Sequence, residues 1–184
     1  NRVLKAMNRD HTRTQIEDTI KMIRQEMPDA VLRTSLIVGF PGETEKEFED
    51  LLNFVQDIRF DRLGVFKYSK EENTPAFKMK GQVSENIKES RSKKLMKTQA
   101  KIAKEKNRLL LGSTIKVLVE GVSEESEFLL CGRSMQQAPD NIDGITYINK
   151  GMASPGDIVP LVITDAGEYD IVGEIIEHLP LTQG

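Results

Sequence analysis

Apolar residues along the first part of the chain follow two alternating periods. Ile16, Ile20, Ile23 and Met27 recur at helical spacing, and the apolar-rich run 31–38 reads as a strand. Phe48, Leu51, Leu52, Val55 and Ile58 then return to helical spacing, and 62–68 is a second strand. Capping boxes mark both helix starts, Thr14 with Glu17 and Thr44 with Glu47, and Pro28 stops the first helix. Two strands joined by a helical crossover are expected to be parallel and right-handed. Val3 to Arg9 forms a short helix or turn, 69–76 a loop, and a long basic helix covers 84–111. From Gly112 the period changes to short β segments at 114–119, 128–133, 146–148, 157–164 and 169–176. Turns are expected at 121–126, Asp143-Gly144, Ser154-Pro155-Gly156 and Asp165-Ala166-Gly167. Five short strands favour a small closed barrel, since closure removes exposed edges.

The centre of the first half is Val38-Gly39-Phe40-Pro41-Gly42-Glu43-Thr44, a strand end that turns directly into a capped helix. Ligands of α/β sheets bind at such carboxyl ends, although the same pattern serves a plain tight connection equally well. Two strands alone leave a sheet edge bare, and Asn1-Arg2-Val3-Leu4 reads as the interior of a longer chain.

The 184 residues suit one ordinary domain or two small ones, and 30% charged residues fit a globular chain. No apolar run approaches the ~20 residues of a membrane span, and no secretory pattern opens the chain. A cytoplasmic protein is the expectation. Residues 1–111 hold 23 Lys+Arg against 17 Asp+Glu, net +6, and residues 112–184 hold 3 against 12, net −9. This asymmetry suggests two domains with different partners, and the change of period puts their boundary near Leu111. The basic helix carries Lys88, Arg91, Lys93, Lys94, Lys97, Lys101, Lys104, Lys106 and Arg108. A solvated face is the ordinary account of it, and nucleic-acid or acidic-surface binding the other.

Cys131 is the one cysteine, so no internal disulfide forms and the thiol alone cannot hold zinc or an iron–sulfur cluster. Beside Leu129 and Leu130 it reads as a buried strand residue rather than a reactive thiol. His11 and His178 belong to no ligand pair. The glycine turn lacks the Lys-Ser/Thr of a P-loop and the GxGxxG fingerprint. No catalytic set and no metal set stands out.

Leu4-Lys5-Ala6-Met7-Asn8-Arg9, with Arg33-Thr34-Ser35-Leu36-Ile37-Val38-Gly39-Phe40-Pro41-Gly42-Glu43-Thr44, resembles the last barrel units of the radical-SAM methylthiotransferases. The segment after Gly112 resembles their TRAM domain. Tyr68-Ser69-Lys70-Glu71-Glu72-Asn73-Thr74-Pro75-Ala76 is similar to the RimO-like branch, where the MiaB-like, tRNA-modifying branch has Arg-Pro for the two glutamates. Gly132-Arg133-Ser134 and Ala138-Pro139-Asp140-Asn141-Ile142-Asp143-Gly144 also resemble the RimO-like form; Met135 departs from it where an aromatic is common. The expected fold is therefore α/β: the C-terminal units of a partial parallel (β/α) barrel, residues 1–111, followed by a five-stranded antiparallel, OB-like TRAM barrel, residues 112–184.

The resemblance implies an enzyme that adds a methylthio group to the β-carbon of an aspartate in small-subunit ribosomal protein twelve. It implies S-adenosylmethionine and two [4Fe–4S] clusters as cofactors, with cluster cysteines outside this chain, so that the chain alone would be inactive. Ser35, Ile37, Val38 and Gly39 would lie beside the adenosyl group, and Phe66 and Tyr68 at the adenine edge or floor. Ordinary barrel core is the competing role for Ile37, Val38 and Phe66. Glu71 and Glu72, by their loop position, would meet a basic substrate. An acidic barrel with few stacking aromatics (Phe128, Tyr147, Tyr169) suits a basic ribosomal protein better than RNA. A MiaB-like tRNA enzyme and a non-catalytic binding module are the rival readings.

Overall fold

The computed structural model describes residues 1–139 and 142–176. His178 and the Asp140-Asn141 pair of the TRAM-like motif lie outside them. The chain divides into two compact units, the first Asn1–Ile102 and the second beginning at Ala103.

In the first unit, α1 (Arg2–Ala6) and α2 (Arg13–Glu26) precede β1 (Arg33–Val38), α3 (Glu45–Ile58) and β2 (Arg62–Lys67). A single 3-10 turn at Pro75–Lys78 leads to α4 (Glu85–Arg108). β1 and β2 pair in parallel, with Ser35 opposite Gly64 and Ile37 opposite Phe66. The expected capping box of α3 is present, Thr44 and Glu47 satisfying each other's backbone donors. That of α2 is shifted: Thr12 and Gln15 form it, not Thr14 and Glu17. Arg13 N–H donates to the Asn1 side chain at 2.8 Å, which starts this helix one residue before Thr14. Of its expected apolar face, Ile20 is buried, whereas Met27 at the C-cap is exposed.

Strand side chains alternate between faces. Leu36, Val38, Leu63 and Val65 face the helices and pack with Ile20, Phe48, Phe54, Val55, Leu95 and Ile102. Fully burying side chains of this size is worth about 1.5–3 kcal/mol each against the exposed state. Gln99, also buried, donates to the Phe60 carbonyl at 2.9 Å and ties α4 to the entry of β2. Residues of α2, α3 and α4 thus cover this face. The opposite face carries Ser35, Ile37, Gly64 and Phe66, with Ile37 39% and Phe66 59% exposed.

The second unit is a closed barrel ordered β3-β4-β5-β7-β6: Thr114–Ser123, Ser126–Ser134, Thr146–Lys150, Ile171–Ile175 and Ile158–Ala166. It is mixed rather than antiparallel, because β5 and β7 run parallel while the other neighbours are antiparallel. The turn expected at 121–126 is present but narrower, at Glu124-Glu125, because register shifts after Val119 and Val122 keep both strands paired as far as Ser123 and Ser126. Val117, Val119, Ile148, Leu161, Ile163, Ala166 and Ile171 fill the interior, with Leu110 packed against them. Asn107, near the end of α4, places its amide nitrogen 3.3 Å from the Glu168 carbonyl and 3.4 Å from those of Gly167 and Tyr169.

Candidate functional site

The candidate site is the carboxyl end of the β1–β2 pair in the first unit. Gly39 leaves β1 at φ 74° and Gly42 follows at φ 79°, conformations that residues with a Cβ rarely adopt. Glu43, its carboxylate 4% exposed, folds back over the turn and accepts the Gly39 N–H at 3.1 and 3.2 Å. Arg91 of α4, 7% exposed, donates to the same carboxylate at 2.6 Å and to Glu45 at 2.9 Å, with its guanidinium over the Phe48 ring. The cation offsets the cost of burying the carboxylate.

Lys88, one turn earlier, is also buried. Its ammonium donates to the Tyr68 carbonyl at 2.8 Å and to Glu85 at 2.6 Å. A Cβ at Gly39 would fall 2.3 Å from Lys88 Cγ, so the turn and the lysine stem touch directly. Two further contacts hold Gly42: its N–H donates to the Gly81 carbonyl at 2.8 Å, and Arg2 donates to its carbonyl at 2.6 Å. Arg2 also bridges Glu47, which draws the Glu47 carboxyl down to about 2.

The residues expected to form the site divide by face. Ser35, Ile37 and Phe66 lie together on the open face, with the Phe66 ring over Gly64. Val38 is fully buried on the helix side. Gly39 forms the turn itself. Tyr68, just past β2, packs edge-on against Phe40 at 5.5 Å and beneath the Lys88 ammonium. Its hydroxyl is buried without a hydrogen-bond partner among the described residues. Glu71 and Glu72 are exposed in the following loop, where Glu71 accepts from Ser69 at 2.6 Å. Sequence reading missed Lys88, Arg91 and Glu43. It read the cations of α4 as a solvated face or a binding surface, but Lys88 and Arg91 turn inward, and only their spacing with Leu95, Gln99 and Ile102 could have signalled it.

Ser35 and Ile37 also line a cavity of about 640 Å³ at the outer edge of β1, bounded by Leu4, Met7, Ile16 and Phe54. Exposed Ile37 and Phe66 give this face an apolar patch. The chain's one cysteine, Cys131, is on β4, so the residues here offer no cysteine set for an iron–sulfur cluster. Burial, then Glu120 and Glu124, raise its thiol pKa.

In the second unit, Gln137 accepts from the Ser134 N–H at 2.9 Å and the Thr146 hydroxyl at 2.6 Å, while donating to the Gly144 carbonyl at 3.0 Å. Asp143 accepts the Ala138 N–H at 2.9 Å, so the described part of the loop motif serves to fold its own loop. The hairpin tip is acidic with apolar points: Glu124, Glu125 and Glu127 beside Val122, 59% exposed, and Phe128, 85% exposed.

Residues 1–55 match the Radical SAM superfamily and residues 111–176 the TRAM domain. A radical-SAM segment joined to a TRAM barrel is thus the class. Over nearly its whole length the chain is similar to proteins named ribosomal protein uS12 methylthiotransferase RimO. The one from Geobacter sulfurreducens is 58% identical over 95% of this chain and 39% of its own length. Those of Syntrophotalea carbinolica and Bdellovibrio bacteriovorus are 55% and 53% identical over 96% and 95% of the chain, and 39% and 38% of theirs. The resemblance to RimO-like radical-SAM methylthiotransferases is thereby borne out, and the chain spans about two fifths of the length of the relatives it matches. Among the described residues no helix is long and apolar enough to cross a membrane.

Proposed function

We propose that the chain is the cofactor edge and substrate-docking part of a cytoplasmic methylthiotransferase acting on the β-carbon of an aspartate in ribosomal protein uS12. The observation that carries this reading is the 58% identity to a RimO protein across both units. S-adenosylmethionine and two [4Fe–4S] clusters would supply hydrogen abstraction and the sulfur-bearing group, with cluster cysteines contributed from outside this chain.

The chain's own residues bind and orient. Ile37 and Phe66 offer an apolar floor for the adenosyl group, with Ser35 as hydrogen-bonding partner at its edge. Val38, from the helix side, supports that floor. Gly39 lets the backbone approach the ligand, and the buried Arg91–Glu43 pair keeps the turn in one shape. Tyr68 backs the turn through Phe40. Glu71 and Glu72 would meet cationic side chains of the substrate, as would the acidic hairpin tip around Phe128. An acidic barrel disfavours RNA at that surface.

The test replaces the matching segment of the Geobacter relative with this chain and follows the products by mass spectrometry. Methylthiolated uS12 supports the proposal. Methylthiolated tRNA, or a product on neither, refutes it.

A further inference from the structure

One face of α4 is a strip of cations. Lys93, Lys94, Lys97 and Lys101 are exposed, and at helical spacing they fall within an arc of about 100°. The opposite side of the same helix, Lys88, Arg91, Leu95, Gln99 and Ile102, is buried in the first unit. From Ser90 to Lys104 there is no acidic residue. An exposed helix normally interleaves acids at i,i+4, and like charges at that spacing disfavour it. Here Lys93–Lys97 and Lys97–Lys101 both repel; Lys93 pairs with Glu89 at 3.2 Å, and the Lys94 ammonium lies 5.8 Å from the centre of the Phe48 ring.

We propose that this strip docks the phosphate backbone of RNA. Ser92, Thr98 and Ala100 lie between and beside the lysines, with none of the exposed aromatic or apolar anchors that form the centre of a protein interface. A membrane surface is disfavoured as well, because the helix's apolar side is already spent in the core. What remains is point charges on flexible stems, which position a polyanion without reading its sequence. In the setting of a ribosomal-protein substrate, the strip would hold RNA adjoining that substrate. The binding itself does not depend on the methylthiotransferase reading.

The test titrates the full chain with a labelled ribosomal RNA fragment and a random-sequence RNA of equal length. Three to four phosphate contacts predict a slope of log K against log salt between about −2 and −3.6, alike for both RNAs. Lys93→Gln/Lys94→Gln/Lys97→Gln/Lys101→Gln should weaken binding about tenfold or more at low salt and bring the slope near zero. Glutamine keeps helix propensity, and unchanged circular dichroism verifies the fold. No binding at low salt, an unchanged slope in the variant, or tighter binding of poly-L-glutamate than of RNA would overturn the proposal. No cofactor or ribosomal protein is present, so its failure leaves the activity assay untouched.

Discussion

Replacing Arg91 with Met keeps a long apolar stem but strands the Glu43 carboxylate, 4% exposed, without its cation. Removing one partner of a buried pair costs about 3–5 kcal/mol. The lost contact to Glu45 adds at most about 1 kcal/mol, since that carboxylate is 63% exposed. Urea unfolding followed by helical circular dichroism reports mainly the first unit, where α2 and α3 and most of α4 lie. With a slope of about 1.5 kcal/mol/M, the midpoint should fall by roughly 2–4 M. Arg91→Met combined with Glu43→Gln leaves an acceptor for the Gly39 N–H and no stranded charge, so most of the loss should return. A single-variant cost below about 1 kcal/mol, or a double variant no better than the single, refutes the reasoning.

Gly39→Ala should destabilise the same unit by about 2 kcal/mol or more, from positive φ alone and further from the Lys88 stem, checked by the same urea transition. The Glu47 carboxyl is lowered from 4.5 to about 2, chiefly by Arg2, so its contribution is whole above about pH 4.5 and lost as pH falls through 2. Glu47→Gln keeps the cap but should flatten the urea midpoint across that window. Burial, then Glu125, pushes the Tyr147 phenol up to about 12; its contribution is whole below 10 and lost as pH rises through 12. Ultraviolet titration should show a late phenol step that Tyr147→Phe removes. Cys131, its thiol pKa raised by burial, should alkylate more slowly than free cysteine at mildly alkaline pH.

The β1–turn–α3 unit was legible because its signals are local: Thr44 with Glu47, apolar spacing, and glycines at the strand end. On α2 two overlapping boxes stand two residues apart, and a side chain twelve positions upstream favours the earlier one. Lys88 and Arg91 were illegible because a charge pattern shows which residues are ionic, not which find partners. Glu43 is 48 residues from Arg91. Likewise, the parallel β5–β7 pairing joins strands that β6 separates in sequence. The open-face neighbours Ile37 and Phe66 were individually foreseeable, but their register required the sheet.

The end of α4 and the residues just past it belong to the barrel: Leu110 packs against its core, and Asn107 reaches the carbonyls of the β6–β7 turn. A protease or a gene fusion that severs the chain at Leu111/Gly112 would therefore release a leaking barrel with a hole at one end. Excision from Ala103 should give the portable module.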